Sequence, residues 1–209
     1  MKAIRFILGL LLISNCISAA PGFGVTGGVS LSKIHISNPK WNELSLYHLG
    51  FTLGVTSKWA LSEVVDLQPS LVFSQNGVDY DNSSYNLPRT KITLNYLRLE
   101  PLMSVKLYEG IHFEIGPQFS YLLSASQYVY GNSGSISEAY KKIDLSVAAG
   151  IAFHVNENIS ISCRYMHGLL DINNEIEFFD PNSPYNLTIP KEYNRSFTLS
   201  VYYYFSSKG

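Results

Sequence analysis

Eight charged residues stand where alternating strands would aim them toward one common side: Lys58, Asp66, Arg98, Glu100, Lys106, Glu114, Asp144 and Arg164. Four are positive and four negative, so the set can neutralise itself. In a narrow interior such a set has two chemistries open to it: ion pairs that close the space, or a charged path that conducts ions. Leaving charges unpaired in a confined site is costly, which favours the pairs. Lys58 is expected to face Asp66, and Arg164 to project over the gap at Gly150 toward Asp144 or Glu114.

Catalysis finds less to work with. Acyl-transfer chemistry needs a Ser or Asp nucleophile within hydrogen-bond reach of a His. His167 with Asp171 is the nearest approach, and no Ser motif completes it. His112 and His154 are expected to meet at one mouth of the fold. Two His without carboxylate company make a weak metal site, so hydrogen bonding at the rim is the expected role. No catalytic residue, metal or cofactor follows from the sequence.

The elements that must position these residues are strands. From Arg195 to Phe205, Phe197, Leu199, Val201, Tyr203 and Phe205 alternate with Thr198, Ser200, Tyr202 and Tyr204, giving one apolar face and one face of hydroxyls. Seven earlier segments repeat the alternation. They run from about Gly24 to Ile34, Leu49 to Trp59, Val65 to Gln75, Asn95 to Leu107, Ile111 to Tyr121, Ile143 to Val155 and Ile159 to Tyr165. The eight charges named above share the face of Gly and Ser, and Leu, Val, Ile and Phe dominate the other. Three short connections, Leu61-Ser62-Glu63, Tyr108-Glu109-Gly110 and Asn156-Glu157-Asn158, read as three-residue hairpin turns. Pairing about them sets Lys58 opposite Asp66, Lys106 opposite His112, Ser104 opposite Glu114, His154 opposite Ser160 and Arg164 opposite Gly150. A one-residue slip would mix the two faces.

Long connections alternate with the short ones, at about His35 to His48, Asn76 to Lys91, Ser124 to Lys141 and Leu170 to Asn194. They carry Trp41, Tyr47, Tyr80, Tyr85, Tyr128, Tyr130, Tyr140, Phe178, Phe179, Tyr185 and Tyr193, which suit an interfacial aromatic belt, loop packing or partner binding. Asp180 to Pro190, with three prolines, reads as a semi-rigid arm. The expected fold is an all-β, eight-stranded, antiparallel up-and-down transmembrane barrel with short turns at one end and long loops at the other.

Composition agrees. Charged residues make up 15% of the chain, while Tyr and Phe number 15 and 11; a typical soluble domain is about 25% charged. No run after the N-terminus is long and apolar enough for a transmembrane helix. A net charge of -1 with scattered Lys and Arg excludes a nucleic-acid surface. Residues 1–20 read as a secretory signal, with Lys2 and Arg5 ahead of the apolar Phe6 to Ile13, and cleavage near 18–20. Residues 21–209 then form one barrel domain. Cys16 leaves with the signal, so Cys163 has no disulfide partner and fills apolar space. The alternatives are a small-solute channel and a soluble lipocalin-like carrier, whose apolar side chains would face inward.

Three stretches carry a family likeness: Gly50-Phe51-Thr52-Leu53-Gly54-Val55 through Leu67-Gln68-Pro69-Ser70-Leu71-Val72-Phe73-Ser74-Gln75-Asn76-Gly77, then Leu94-Asn95-Tyr96-Leu97-Arg98-Leu99-Glu100-Pro101-Leu102, then Arg164-Tyr165-Met166-His167-Gly168-Leu169. They resemble the PorT-like outer-membrane β-barrel proteins of diderm bacteria. The resemblance implies a place in the bacterial outer membrane, with lipid as the surroundings; the long external loops are where contact with other envelope proteins is expected. Some relatives are linked to a secretion and gliding apparatus. The shared motifs are structural, so they identify the barrel and no activity; the balanced interior charges are what lead to the expectation of a closed, salt-bridged lumen and a structural or interaction role. One departure is that four residues follow Phe205, where many such barrels end on the aromatic.

Overall fold

The structure, a computed structural model, describes residues 22–43, 45–81, 88–174 and 190–205. The signal expected at 1–20 and the arm expected from Asp180, up to residue 189, lie outside the described residues. Eight long strands form the wall: β1 (Gly22–Ile36), β3 (His48–Ala60), β4 (Val65–Tyr80), β5 (Thr90–Tyr108), β6 (Ile111–Val129), β8 (Ile143–His154), β9 (Ile159–Gly168) and β10 (Glu192–Tyr204). Two short strands, β2 (Ser45–Leu46) and β7 (Asn132–Ser135), extend β4 and β6 at the long-loop end. Each long strand pairs antiparallel with its neighbour in the chain, and β10 pairs with β1 from Gly24 opposite Tyr204 to Ile36 opposite Glu192. The ring is closed.

Alternation divides the two surfaces as the sequence pattern dictates. Leu49, Phe51, Leu53 and Val55 on β3 and Phe197, Leu199, Val201 and Tyr203 on β10 are exposed on the outside, while Thr52, Thr56, Ser196 and Ser200 are buried inside. A soluble carrier has the opposite arrangement, and that alternative fails here.

Two of the three short turns differ from expectation. The first is Ser62–Val64, one residue later than expected, because the Ser62 hydroxyl accepts from the backbone N–H of Val64 (3.3 Å) and Val65 (3.1 Å). Asp66 therefore lies opposite Ala60, not Lys58, although faces are preserved by the even shift. The second is a two-residue turn, Glu109–Gly110, with the register broken between Lys106 and Tyr108 and Gly110 at φ 75°. Glycine reaches that left-handed region without strain. The third turn keeps the expected register, with Asn156 Oδ1 accepting from the N–H of Asn158 and Ile159 at 2.9 Å each.

The strands also run past their expected ends into the long connections. On β6 a bulge makes this possible: Asn95 lies opposite Ser124 but Tyr96 opposite Leu122, so Leu123 is the extra residue. An extra residue shifts the alternation by one. Below it Gln118, Ser120 and Leu122 face inward; above it Ala125 does. β6 then turns through Tyr130 and Gly131, both at positive φ, into β7. At this end the inward face becomes apolar. Ile34, Ile36, Val78, Leu94, Tyr96, Leu122, Ala125, Tyr140 and Ile172 form a buried cluster across the long-loop mouth.

Candidate functional site

Beneath that apolar lid the lumen is polar, and its centre is built by four side chains from three strands. β5 supplies Arg98 and Glu100, two residues apart on the inward face; β6 supplies Glu114 and β9 supplies Arg164. Glu100 accepts from Arg98 Nη1 (3.4 Å) and Gln118 Nε2 (3.0 Å) on one oxygen and from Arg164 Nη1 (3.3 Å) on the other. Arg164 Nε also stands 3.8 Å from Glu114, whose carboxylate accepts from Ser162 Oγ. Its remaining Nη2 donates to the Tyr202 hydroxyl on β10. Arg98 is completed by Ser120 Oγ (3.3 Å) and, with the Asn76 side-chain amide turned so that its oxygen faces the guanidinium, by Asn76 (2.9 Å). All four charges are buried, and two positives against two negatives leave no net charge.

The reach of Arg164 depends on Gly150 directly opposite it on β8. A Cβ there would collide with the Arg164 side chain and the Cys163 carbonyl. The space left between Arg98, Glu100, Gln118 and Arg164 amounts to about 10 Å³, room for about one water molecule.

The other charges of the expected set form no ion pair with this group. Asp144 lies nearer the lid and is not the partner of Arg164. It accepts from Asn194 Nδ2 at 2.8 Å, and the same amide donates to the Tyr96 hydroxyl at 3.1 Å. Lys58 and Asp66 pair at 3.1 Å despite the shifted register, at the short-turn mouth, with 29% and 15% of their side chains exposed. Lys106 lies opposite His112 at that mouth, is exposed, and has no ion-pair partner among the described residues. The expectation that all eight charges pair inside is thus corrected for Asp144 and Lys106. They lie at opposite ends of the barrel, too far apart to meet.

His112 and His154 do come together, but as stacked rings 3.9 Å apart, with Lys58 Nζ 3.4 Å from His154 Nδ1. Parallel rings hold their in-plane nitrogens side by side and do not converge them on one ion. These groups line an open mouth cavity of about 570 Å³ with Glu63 and Glu109. His167 and Asp171 do not meet in a catalytic pair. His167 faces outward against Tyr165, while Asp171 accepts from the backbone N–H of Asn173 (3.1 Å) and Glu192 (2.9 Å), with Lys141 Nζ 3.5 Å away.

Three features escaped sequence reasoning. Tyr202 belonged to the hydroxyl face, but its pairing with Arg164 crosses to another strand. His48, 1% exposed and 2.8 Å from Asp79, gave no signal beyond its even position on β3. Tyr140, expected in an external loop, is buried in the lid, and burial raises its hydroxyl well above the ordinary tyrosine range. The side chain of Trp41 and all of Tyr85, Phe178, Phe179 and Tyr185 lie outside the described residues.

Residues 20–174 match the sequence model of the outer membrane protein β-barrel domain. The chain belongs to that family. Among solved structures it is similar to Neisserial surface protein A, with a TM-score of 0.58, 14% identity, and 90% of this chain and 100% of that one covered. It is also similar to Ail, the attachment invasion locus protein of Yersinia pestis, with a TM-score of 0.51, 15% identity, and again 90% and 100% covered. At such identities the likeness concerns the fold. No curated protein matches the chain in sequence. Family and fold place the protein in the bacterial outer membrane, where short turns face the periplasm and long loops the exterior. The apolar lid is then the external closure of the lumen, and the Lys58, Asp66 and His154 group its periplasmic mouth.

Proposed function

We propose that this barrel is a sealed structural or interaction protein of the cell envelope, of the PorT-like kind, which presents its long loops to partners while its lumen carries nothing. One observation supports this reading above the rest: the Arg98, Glu100, Glu114 and Arg164 group leaves a void of about 10 Å³ at mid-lumen. That volume holds about one water molecule, and a hydrated ion needs several times as much. An eight-stranded barrel is narrow enough for side chains to fill, and here the filling is charge-balanced, so no net field draws ions inward. Above it the apolar lid adds a second barrier of different chemistry.

The test is electrical. Purified protein in planar bilayers should be silent at ordinary voltages, and Arg98→Ala combined with Arg164→Ala should raise the frequency of small openings. Steady, sizeable conductance from the wild type would overturn the sealed reading and promote a small-solute channel. Partners, if the interaction reading holds, should be captured from crosslinked envelopes by wild type and lost when the external hairpin around Gly131 is shortened.

A further inference from the structure

On the outer wall, just above the apolar band, three adjacent strands bring cations together. Lys33 of β1 lies opposite Arg195 of β10, Arg195 lies opposite His167 of β9, and His35 follows one outward position above Lys33. All four share the outward face of Leu31, Phe197 and Tyr165. Between them is a groove of about 380 Å³, with Lys33, His35 and Arg195 on its sides, Tyr165 and Phe197 beneath and Tyr47 beside it; no Asp or Glu lines it. The floor is firm, since the Tyr165 and Phe197 rings pack 4.9 Å apart.

Three other external cations lie near an acid. Lys141 is 3.5 Å from Asp171, Arg89 is 3.5 Å from Asp81, and Lys91 lies opposite Asp79. Lys33 and Arg195 take part in no ion pair among the described residues. Arg195 is nonetheless held in place: Nη1 donates to the carbonyls of Gly168 (2.8 Å) and Asn194 (3.0 Å), and the guanidinium lies over the Tyr193 ring. Its Nε and Nη2 have no hydrogen-bond partner among the described residues, so one edge of the fork is free.

Height selects the ligand. Arg195 lies ten residues before Phe205, and Lys33 ten after Phe23, the aromatics at the periplasmic border. At about 3.3 Å per residue and about 40° of tilt, ten residues rise about 25 Å, the thickness of the apolar band. The groove therefore sits where outer-leaflet headgroups begin, and it opens sideways into lipid.

We propose that this groove binds the phosphate of a phosphorylated glycolipid of the outer leaflet. Arg195 offers the free edge of its planar fork to phosphate oxygens, and Lys33 supplies a second charge. The acyl chains run down the wall over Phe197, Tyr165 and Leu31.

The test uses the full chain in phosphatidylcholine nanodiscs doped with bisphosphorylated lipid A or with its phosphate-free counterpart, with retained glycolipid counted by mass spectrometry. Wild type should retain the bisphosphorylated form about tenfold better, and Lys33→Gln with Arg195→Gln should abolish most of that preference, as expected when two charge-assisted contacts are lost. Lys91→Gln, an external cation outside the groove, should retain it fully. Unfolded double variant, detected by its heat-modified gel mobility, would shift the decision to Lys33→Gln alone, which breaks no backbone contact and should cut retention several-fold. Equal retention of both glycolipids by wild type, or undiminished retention by the folded variants, would overturn the site. Displacement of the glycolipid by millimolar inorganic phosphate would overturn the membrane source.

Discussion

Arg164 ties the interior together, since Glu100, Glu114 and Tyr202 on three different strands all meet it. Arg164→Ala should therefore destabilise the barrel by about 3–5 kcal/mol, the usual result of stranding buried partners. Urea unfolding in micelles checks this, and a midpoint equal to wild type would refute it. Lys58→Ala removes an ion pair too, but one open to the periplasmic mouth, and should cost no more than about 1 kcal/mol in the same assay. Parity along each strand was enough to read from the sequence that Arg98, Glu100, Glu114, Asp144 and Arg164 point to the buried side. Which cation meets which anion was not legible, because partners lie across the ring. Arg164 was aimed at Asp144 or Glu114; it meets Glu114 and Glu100, and Asp144 is held by Asn194, a residue whose only sequence signal was its even position.

At the level of elements, strand number, order and facing were all readable from alternation, since a period of two survives errors of an even number of residues. That is why a misplaced first turn moved Asp66 from Lys58 to Ala60 without exposing either face. The strand ends were not readable. Alternation fails at Leu123, where an extra residue reverses the sides, and at the lid the pattern inverts: Ile34, Ile36 and Leu94 face inward while Lys33, His35 and Asn95 face outward, so the segment no longer reads as lipid-facing strand. The bulge makes a sharp prediction. Leu122 is buried in the lid and Leu123 faces out. Leu122→Ala should cost about 2–5 kcal/mol as a buried truncation, while Leu123→Ala, whose surroundings are about as apolar with or without it, should cost under about 1 kcal/mol. Equal effects on the unfolding midpoint would mean that no bulge separates them.

For the molecule as a whole, the lipid-facing wall sets the main constraint. Leu99→Arg and Val147→Arg, both on that wall, should each cost about 2–4 kcal/mol if near the bilayer midplane. Ser135→Arg, on the exposed β7 hairpin, should be neutral. Equal tolerance at Leu99 and Ser135, read from the yield of heat-modifiable protein in membranes, would reverse the assignment of faces. Orientation has its own check: a tag after Gly131 should be labelled on intact cells and one after Glu157 should not.

The seam between β1 and β10 also sets the timing of assembly. The last strand brings Tyr202 to Arg164, and Asn194 to Asp144 and Tyr96. Until it docks, those groups on β5, β8 and β9 lack their final partners and the lumen is open along one side. Pairing the first strand with the last is the longest-range contact in the chain, hence the slowest to form. The interior thus receives its last partners in a late event, and an insertion intermediate halted before β10 should be recognisable by its sensitivity to proteases and to pH, losing both at the moment the ring shuts.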